Sequence, residues 1–349
     1  MHWIKLVVIS LLVAVVAGVL ACGSSKGAPD SGQSTVTLRL GYFPNVTHSQ
    51  PIIGLARGTF AEELGSSVKL ETITFNAGPS AIEALFAGGI DATYIGPNPA
   101  INGYVRSGGA LRIVAGATSG GALLIVRPDS GIEVPADLAG KKIASPQLGN
   151  TQDVALRAYL LANNLAAREN GGDVSVIPTE NPNILTLFQL GDVDGAWVPE
   201  PWATRLVTEA GGRVFLDERD LWPNGDFVTT HLIVRTEFLE EHPDVVESFL
   251  AAHVETTQWI NDNPEEAKRL VNEGILEVTS AALPEEVIDS AWQNMRITYD
   301  PIASSLRKSA VDAFELGFLG NQEPDLSDIY DLALLNEVLM DKGLPPVSE

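Results

Sequence analysis

The chain has one cysteine, Cys22, and five histidines in 349 residues. A lone cysteine cannot close an intramolecular disulfide, and cysteine-ligated zinc sites need several thiolates. His48, His231, His242 and His253 are scattered without the spacing of a metal site. The Gly-x-Ser-x-Gly match Gly23-Ser24-Ser25-Lys26-Gly27 lies in a polar stretch directly after Cys22, not between a strand and a helix as an elbow requires, and no phosphate-loop motif is present. Cofactor chemistry and catalysis therefore have no foothold, and the chain is expected to be neither an enzyme nor a cofactor carrier. Basic residues are also scarce: 22 Lys and Arg stand against 45 Asp and Glu, for a formal charge of −23. That balance repels phosphate backbones and anionic lipid surfaces, so nucleic acid is not expected as a partner.

One long apolar run is present, residues 6–20, preceded by His2 and Lys5. As a helix it would be roughly 22 Å long, short for a hydrocarbon core of about 30 Å, and it suits a removed signal segment. Val19-Leu20-Ala21-Cys22, followed by Gly23-Ser24-Ser25, resembles the bacterial lipobox. The expectation is a signal peptide over residues 1–21, a lipid anchor on Cys22 and a flexible tether over 22–34. Acyl chains at roughly 0.8 kcal/mol per buried methylene would hold the protein on the extracytoplasmic face of the cell membrane.

From residue 35 onward, short apolar runs alternate with helical spacing. Residues 36–40, 68–75, 92–95, 111–117 and 122–126 read as strands, with helices over 79–87 and 99–106. A second set follows, with strands near 142–144, 174–177, 195–198 and 213–216 and helices over 151–163 and 182–190. Such alternation predicts βαβ units and two similar, largely parallel sheets. After a strand over 229–234 the pattern turns helical, with His253 on an apolar stripe bracketed by Pro243 and Pro264.

An internal echo supports the duplication. Gly88-Gly89-Ile90-Asp91-Ala92-Thr93-Tyr94 resembles Gly191-Asp192-Val193-Asp194-Gly195-Ala196-Trp197, each with an aromatic three positions after an aspartate. Ligands of open α/β sheets bind outside the carboxyl ends of the strands. Tyr94 and Trp197 then either face each other across a cleft or serve as core residues at strand ends.

Taken together, Leu40-Gly41-Tyr42-Phe43-Pro44-Asn45, Phe75-Asn76-Ala77-Gly78-Pro79-Ser80, Asp137-Leu138-Ala139-Gly140-Lys141-Lys142 and Trp197-Val198-Pro199-Glu200-Pro201-Trp202 give the mature chain a family resemblance. It resembles the substrate-binding proteins of bacterial ABC importers that handle nitrate, aliphatic sulfonates, taurine and thiamine-pyrimidine-like compounds. The resemblance implies a two-lobed, hinged periplasmic-binding-protein fold of type II. It also implies a small-molecule solute and a permease with its ATPase as partners. Lobe 1 is expected over residues 35–127 and 229–349, lobe 2 over 128–228.

The segments joining strand ends to helix starts supply the candidate ligand-binding residues: Tyr42, Asn45, Ser80, Tyr94, Asn98 and Ser119 from lobe 1, and Asn150, Thr151, Gln152, Trp197, Glu200 and Trp202 from lobe 2. Helix openings at 78–80 and 149–151 leave backbone N–H groups able to bind an oxyanion, or merely capped by their own side chains. Two features pull towards a flat nitrogen heteroaromatic such as riboflavin or a thiamine pyrimidine: these segments hold no Lys or Arg, and Glu200 stands among aromatics. An aliphatic sulfonate, taurine or nitrate is the alternative; a thiamine-pyrimidine-synthase-like enzyme, similar in fold, is the alternative class, and the resemblance implies for it a cysteine-rich segment that the mature chain lacks.

Overall fold

A computed structural model describes residues 35–349; the expected signal segment, the tether and Cys22 lie outside the described residues. Eleven strands occur in chain order: β1 (Val36–Tyr42), β2 (Val68–Thr74), β3 (Ala92–Ile95), β4 (Leu111–Gly120), β5 (Ala122–Val126), β6 (Lys142–Pro146), β7 (Ser175–Thr179), β8 (Gly195–Pro199), β9 (Arg213–Asp217), β10 (Val228–Arg235) and β11 (Met295–Ile297). They form a six-stranded sheet in the order β11-β4-β10-β3-β1-β2 and a five-stranded sheet in the order β7-β6-β8-β5-β9. Apart from β11 the two orders are the same, with β10 and β5 in equivalent places. Each of these two strands runs antiparallel to both neighbours, while β1 pairs in parallel with β2 and β3, and β6 with β7 and β8. The exception has a simple cause: β5 and β10 are the strands that arrive from the other sheet.

The first crossing falls earlier than residue 127. β5 pairs with β8 and β9 in the second sheet, so the chain changes lobes at Gly120-Gly121, where both glycines adopt positive φ. Such a turn costs glycine little. Because β5 is buried on both faces, its composition fits either sheet and could not assign it. The return crossing lies alongside, with Gly120 N–H donating to Phe227 O at 3.1 Å.

Helices cover both sheets. In the first lobe α1 (Ser49–Arg57), α2 (Thr59–Leu64), α3 (Gly78–Phe86) and α4 (Pro97–Ser107) follow the early strands; in the second, α5 (Thr151–Ala162), α6 (Asn181–Leu190) and α7 (Trp202–Thr208) do so. The later segment is helical as its spacing predicts, with α8 (Thr236–Glu241), α9 (Pro243–Asp262), α10 (Pro264–Thr279), α11 (Glu285–Gln293), α12 (Ala303–Glu315) and α13 (Ala333–Asp341). Most of it packs on the first lobe, whereas α11 also touches α7 of the second, and α12 touches α4 of one lobe and α5 of the other. None of the described helices is long and apolar enough to cross a membrane.

The internal echo has a structural meaning. Asp91 Oδ2 accepts from Arg39 N at 2.9 Å on β1, and Asp194 Oδ2 accepts from Lys142 N at 2.8 Å on β6. In each lobe the aspartate before the third strand ties down the first.

Candidate functional site

The carboxyl ends of the two sheets face one another across a small polar cavity. Lobe 1 contributes Phe43, Asn45, Thr47 and His48 after β1, Asn76 after β2, Gly96 after β3, and Thr229 and Thr230 of β10. Lobe 2 contributes Asn150, Thr151 and Gln152 after β6, Asn181 after β7, and Pro199 at the end of β8. The void is only about 20 Å³, room for about one water, so the lobes are closed on each other.

Three long helices begin at this cavity. Gly96, Asn150 and Glu180 precede α4, α5 and α6, and none of the three bonds by its side chain to the first turn; Pro97 and Pro99 leave α4 only the Asn98 N–H there, Pro182 leaves α6 those of Asn181 and Asn183, and α5 keeps those of Thr151, Gln152 and Asp153. Those N–H groups and the positive ends of the helix dipoles therefore converge from both lobes. Gly96 is required for the approach: a Cβ there would lie 2.2 Å from Thr151 Oγ1.

The side chains carry the same signature. Thr151 Oγ1, Thr230 Oγ1 and Asn181 Oδ1 are buried and have no hydrogen-bond partner among the described residues, a condition native interiors rarely tolerate without a reason. His48 accepts a hydrogen bond at Nδ1 from Phe43 N at 3.3 Å and its ring stacks on Phe43 at 4.5 Å between centroids. Burial pushes its pKa down to about 3. A neutral imidazole that accepts at Nδ1 carries its proton on Nε2, so His48 offers the cavity an uncharged donor. No Lys or Arg is among the cavity residues.

Of the residues expected at the site, Asn45, Asn150, Thr151 and Gln152 line the cavity. Trp202 stands at its edge, donating from Nε1 to Asn45 Oδ1 at 3.0 Å across the cleft. The aromatic clamp does not form. Tyr42, Tyr94 and Trp197 are buried in the cores; Tyr94 OH pairs with His253 Nδ1 at 2.8 Å, and Trp197 Nε1 donates to Glu218 Oε2 at 2.8 Å. Strand side chains project onto the faces of a sheet, where helices cover them, and not past its end, where the cleft lies.

Glu200 is also buried away from the cavity. Its Oε2 accepts from Thr204 N at 3.0 Å, and its Oε1 from Thr204 Oγ1 at 2.9 Å and Asn294 Nδ2 at 2.7 Å; desolvation pushes its pKa up against these bonds. It holds the start of α7 and ties it to lobe 1. Ser80 sits half-buried in the first turn of α3, Asn98 donates to Ser309 O at 3.3 Å, and Ser119 is enclosed within β4; none lines the cavity. Residues the sequence reading passed over include His48, set aside as one of the scattered histidines, and Asn181. Both occupy the strand-to-helix position already marked by Asn45 and Asn150, and that register was the available signal.

Two mixed sheets joined by crossing strands, closing on a cleft at their carboxyl ends, define the fold of the periplasmic solute-binding proteins. The chain belongs to the NMT1-like family, whose profile matches residues 31–273. It is 29% identical over 225 residues to a taurine-binding periplasmic protein of Escherichia coli, a match covering 63% of this chain and 66% of the relative. With a putative aliphatic sulfonates-binding protein of Bacillus subtilis it shares 25% identity over 338 residues, 94% of this chain and 96% of the relative. Among solved structures, the alkanesulfonate-binding protein SsuA of Xanthomonas axonopodis pv. citri bound to MOPS superposes with a TM-score of 0.71 at 19% identity, covering 85% of this chain and 99% of that one. The periplasmic nitrate-binding protein NrtA of Synechocystis gives a TM-score of 0.71 at 18% identity, covering 89% and 90%.

Proposed function

We propose that this protein is the extracytoplasmic solute-binding component of an ABC importer, and that it captures a sulfonate group between its lobes for delivery to a permease and its ATPase. The observation that carries the ligand class is the convergence of three helix starts, uncapped by their N-cap side chains, with the unpaired hydroxyls of Thr151 and Thr230 on one closed cavity. Neutral donors of this kind bind an oxyanion without a cationic side chain, and each hydrogen bond to the charged group is stronger than its neutral counterpart. Of the two features that pulled away from an anion, Glu200 lies outside the cavity, while the absence of Lys and Arg from it still holds. The leaning towards a flavin or pyrimidine loses its main support, since Tyr42, Tyr94 and Trp197 lie in the cores. Relatives named for taurine and aliphatic sulfonates favour the same class. The sequence around Cys22 supports lipid anchoring at the membrane, and the binding-protein relatives support a role without turnover.

The test is calorimetric titration and thermal shift of the chain lacking residues 1–22 with ethanesulfonate, taurine, nitrate and riboflavin. Sulfonate binding should stabilise the protein by about 2.7 kcal/mol at a hundredfold excess over Kd. Binding of nitrate with no sulfonate would shift the reading to an inorganic oxyanion; binding of riboflavin alone would overturn it.

A further inference from the structure

A groove of about 420 Å³ separates α5 from α12, within the size range of small-molecule sites. It shares no residue with the polar cavity. α12 joins the core of the first lobe through Leu306 and Ala310, and α5 that of the second through Leu156 and Leu160, so the two walls come from different lobes. Ala155, Ala158 and Ala162 form one face of α5 and floor the groove; side chains this short leave the space open.

One buried group in the groove lacks the partner that its charge calls for. Glu218 is 3% exposed, and its carboxylate accepts from two neutral indoles, Trp197 Nε1 at 2.8 Å and Trp222 Nε1 at 3.4 Å. Among the described residues no basic side chain pairs with it; Lys308, the basic residue of the groove, is held by Asp312 at 2.6 Å. A buried carboxylate without a counter-ion is costly, and a group kept in that state beside a pocket points to a ligand. The surroundings select the sign of that ligand. Three carboxylates, those of Glu218, Asp312 and Glu315, face the single ammonium of Lys308. Trp222 already presents its ring to a cation: Lys308 Nζ lies 5.3 Å from its centroid, while Phe227 stacks at 5.5 Å. Tyr159 brings a second ring to the groove, and aromatic faces attract ammonium groups.

We propose that this groove is a second ligand site, separate from the cleft, for an organic ammonium ion with a short apolar body. The ammonium pairs with the Glu218 carboxylate beside the rings of Tyr159 and Trp222, and the apolar body lies over the alanine face of α5. An occupant so placed touches both lobes. The site stands whether or not the cleft takes a sulfonate, because no residue serves both.

The experiment is calorimetric titration of the chain lacking residues 1–22 with hexylammonium, and with 1-hexanol and hexanoate as its neutral and anionic counterparts. It is run at about pH 8, where Glu218 is ionised, and at about 0.15 M salt, which screens the loose attraction of any cation to an acidic chain. Hexylammonium should bind at least about tenfold more tightly than hexanol, as a hydrogen-bonded charge requires, and hexanoate should not bind. Glu218→Gln should erase the preference for the ammonium over the alcohol. Ala158→Leu fills the floor and leaves every charge in place, and it should weaken both probes; cooperative melting of each variant shows that the fold is kept. The proposal is overturned if hexylammonium fails to bind or binds no better than hexanol. It is equally overturned if Glu218→Gln keeps the preference, or if Ala158→Leu binds as the wild type does, since the cation then sits elsewhere.

Discussion

Asn45 and Trp202 join the two lobes across the cleft: the indole Nε1–H donates to the amide Oδ1 at 3.0 Å. One partner follows β1 and the other opens α7, so the bond exists only when the lobes are closed. Arg205, stacked 4.7 Å from the Trp202 ring centroid, holds the indole in place. A contact confined to the closed state biases closure, and whatever biases closure raises apparent affinity.

Trp202→Phe keeps the ring and removes the donor. A hydrogen bond of this kind is worth about 0.5–1.5 kcal/mol, so Kd for ethanesulfonate should rise about two- to tenfold. Isothermal titration reads the change directly, and an unaltered Kd would show that the bond plays no part in closure.

Gly96→Ala should block closure without harming either lobe. The Gly96 backbone, at φ −71° and ψ 159°, is open to any residue, but the added Cβ would meet Thr151 Oγ1 at 2.2 Å. Expected are a loss of sulfonate affinity of at least about tenfold and an unchanged Tm without ligand, since only the approach of the lobes is obstructed. In a Thr151→Ala background, itself weakened by loss of the hydroxyl, adding Gly96→Ala should cost little further affinity, and that non-additivity would locate the obstruction at this contact.

Thr151→Val removes the cavity hydroxyl and nearly preserves shape. With no partner for Oγ1 among the described residues, its loss should leave the unliganded protein as stable as before or more so. Sulfonate binding should weaken by about 1.5–3 kcal/mol, the worth of a hydrogen bond to a charged group. Opposite movement of Tm and affinity is the signature of a residue kept for its ligand.

The fold was largely legible because strand length and bounding glycines and prolines are local properties. Residues 92–95 and 122–126 were read as strands with the bounds they have. The sheet to which a strand belongs is not local, and β5, buried on both faces, carried no mark of its lobe. The site was half legible for a related reason. Turns after strands place Asn45 and Asn150 at the cleft wherever the strands go, but Tyr94 and Trp197 lie within strands, and only the covering helices reveal that their rings point into cores. Glu200 misled because a carboxylate near aromatics looks like a ligand contact until Thr204 and Asn294 are seen to hold it.

The neutral state of His48 makes a prediction about affinity and pH. Burial holds its pKa near 3, so Nε2–H is an uncharged donor throughout the range from about pH 5.5 to about pH 8, where a sulfonate does not titrate either. Fluorescence titration at constant ionic strength should give Kd values equal within about twofold at the two ends of that range. Markedly tighter binding at the acid end would mean that His48 meets the ligand as an imidazolium.

Glu218 should make stability fall as pH rises past neutrality. Its carboxylate is buried and accepts from Trp197 Nε1 at 2.8 Å and Trp222 Nε1 at 3.4 Å, yet burial outweighs both bonds and pushes its pKa from 4.5 to about 7. The folded state thus binds the proton more tightly than the unfolded one. The resulting stability is complete below about pH 4.5, and is lost as pH climbs through about 7. His48, His231 and His253, all lowered by burial, act in the opposite sense, but their contribution is lost only as pH falls below about 6.5. Between about pH 6.5 and about pH 8 the histidines therefore no longer oppose the Glu218 effect, and Glu200, also raised by burial, acts in the same sense, so the comparison with the Glu218 variant isolates its share. Glu218→Gln, neutral throughout, gives up one indole bond at every pH and so shifts Tm by a constant; what should disappear is the decline. Thermal melts across this window should show a falling Tm for the wild type and a flatter one for the variant. Parallel curves would mean that Glu218 does not change charge near neutrality.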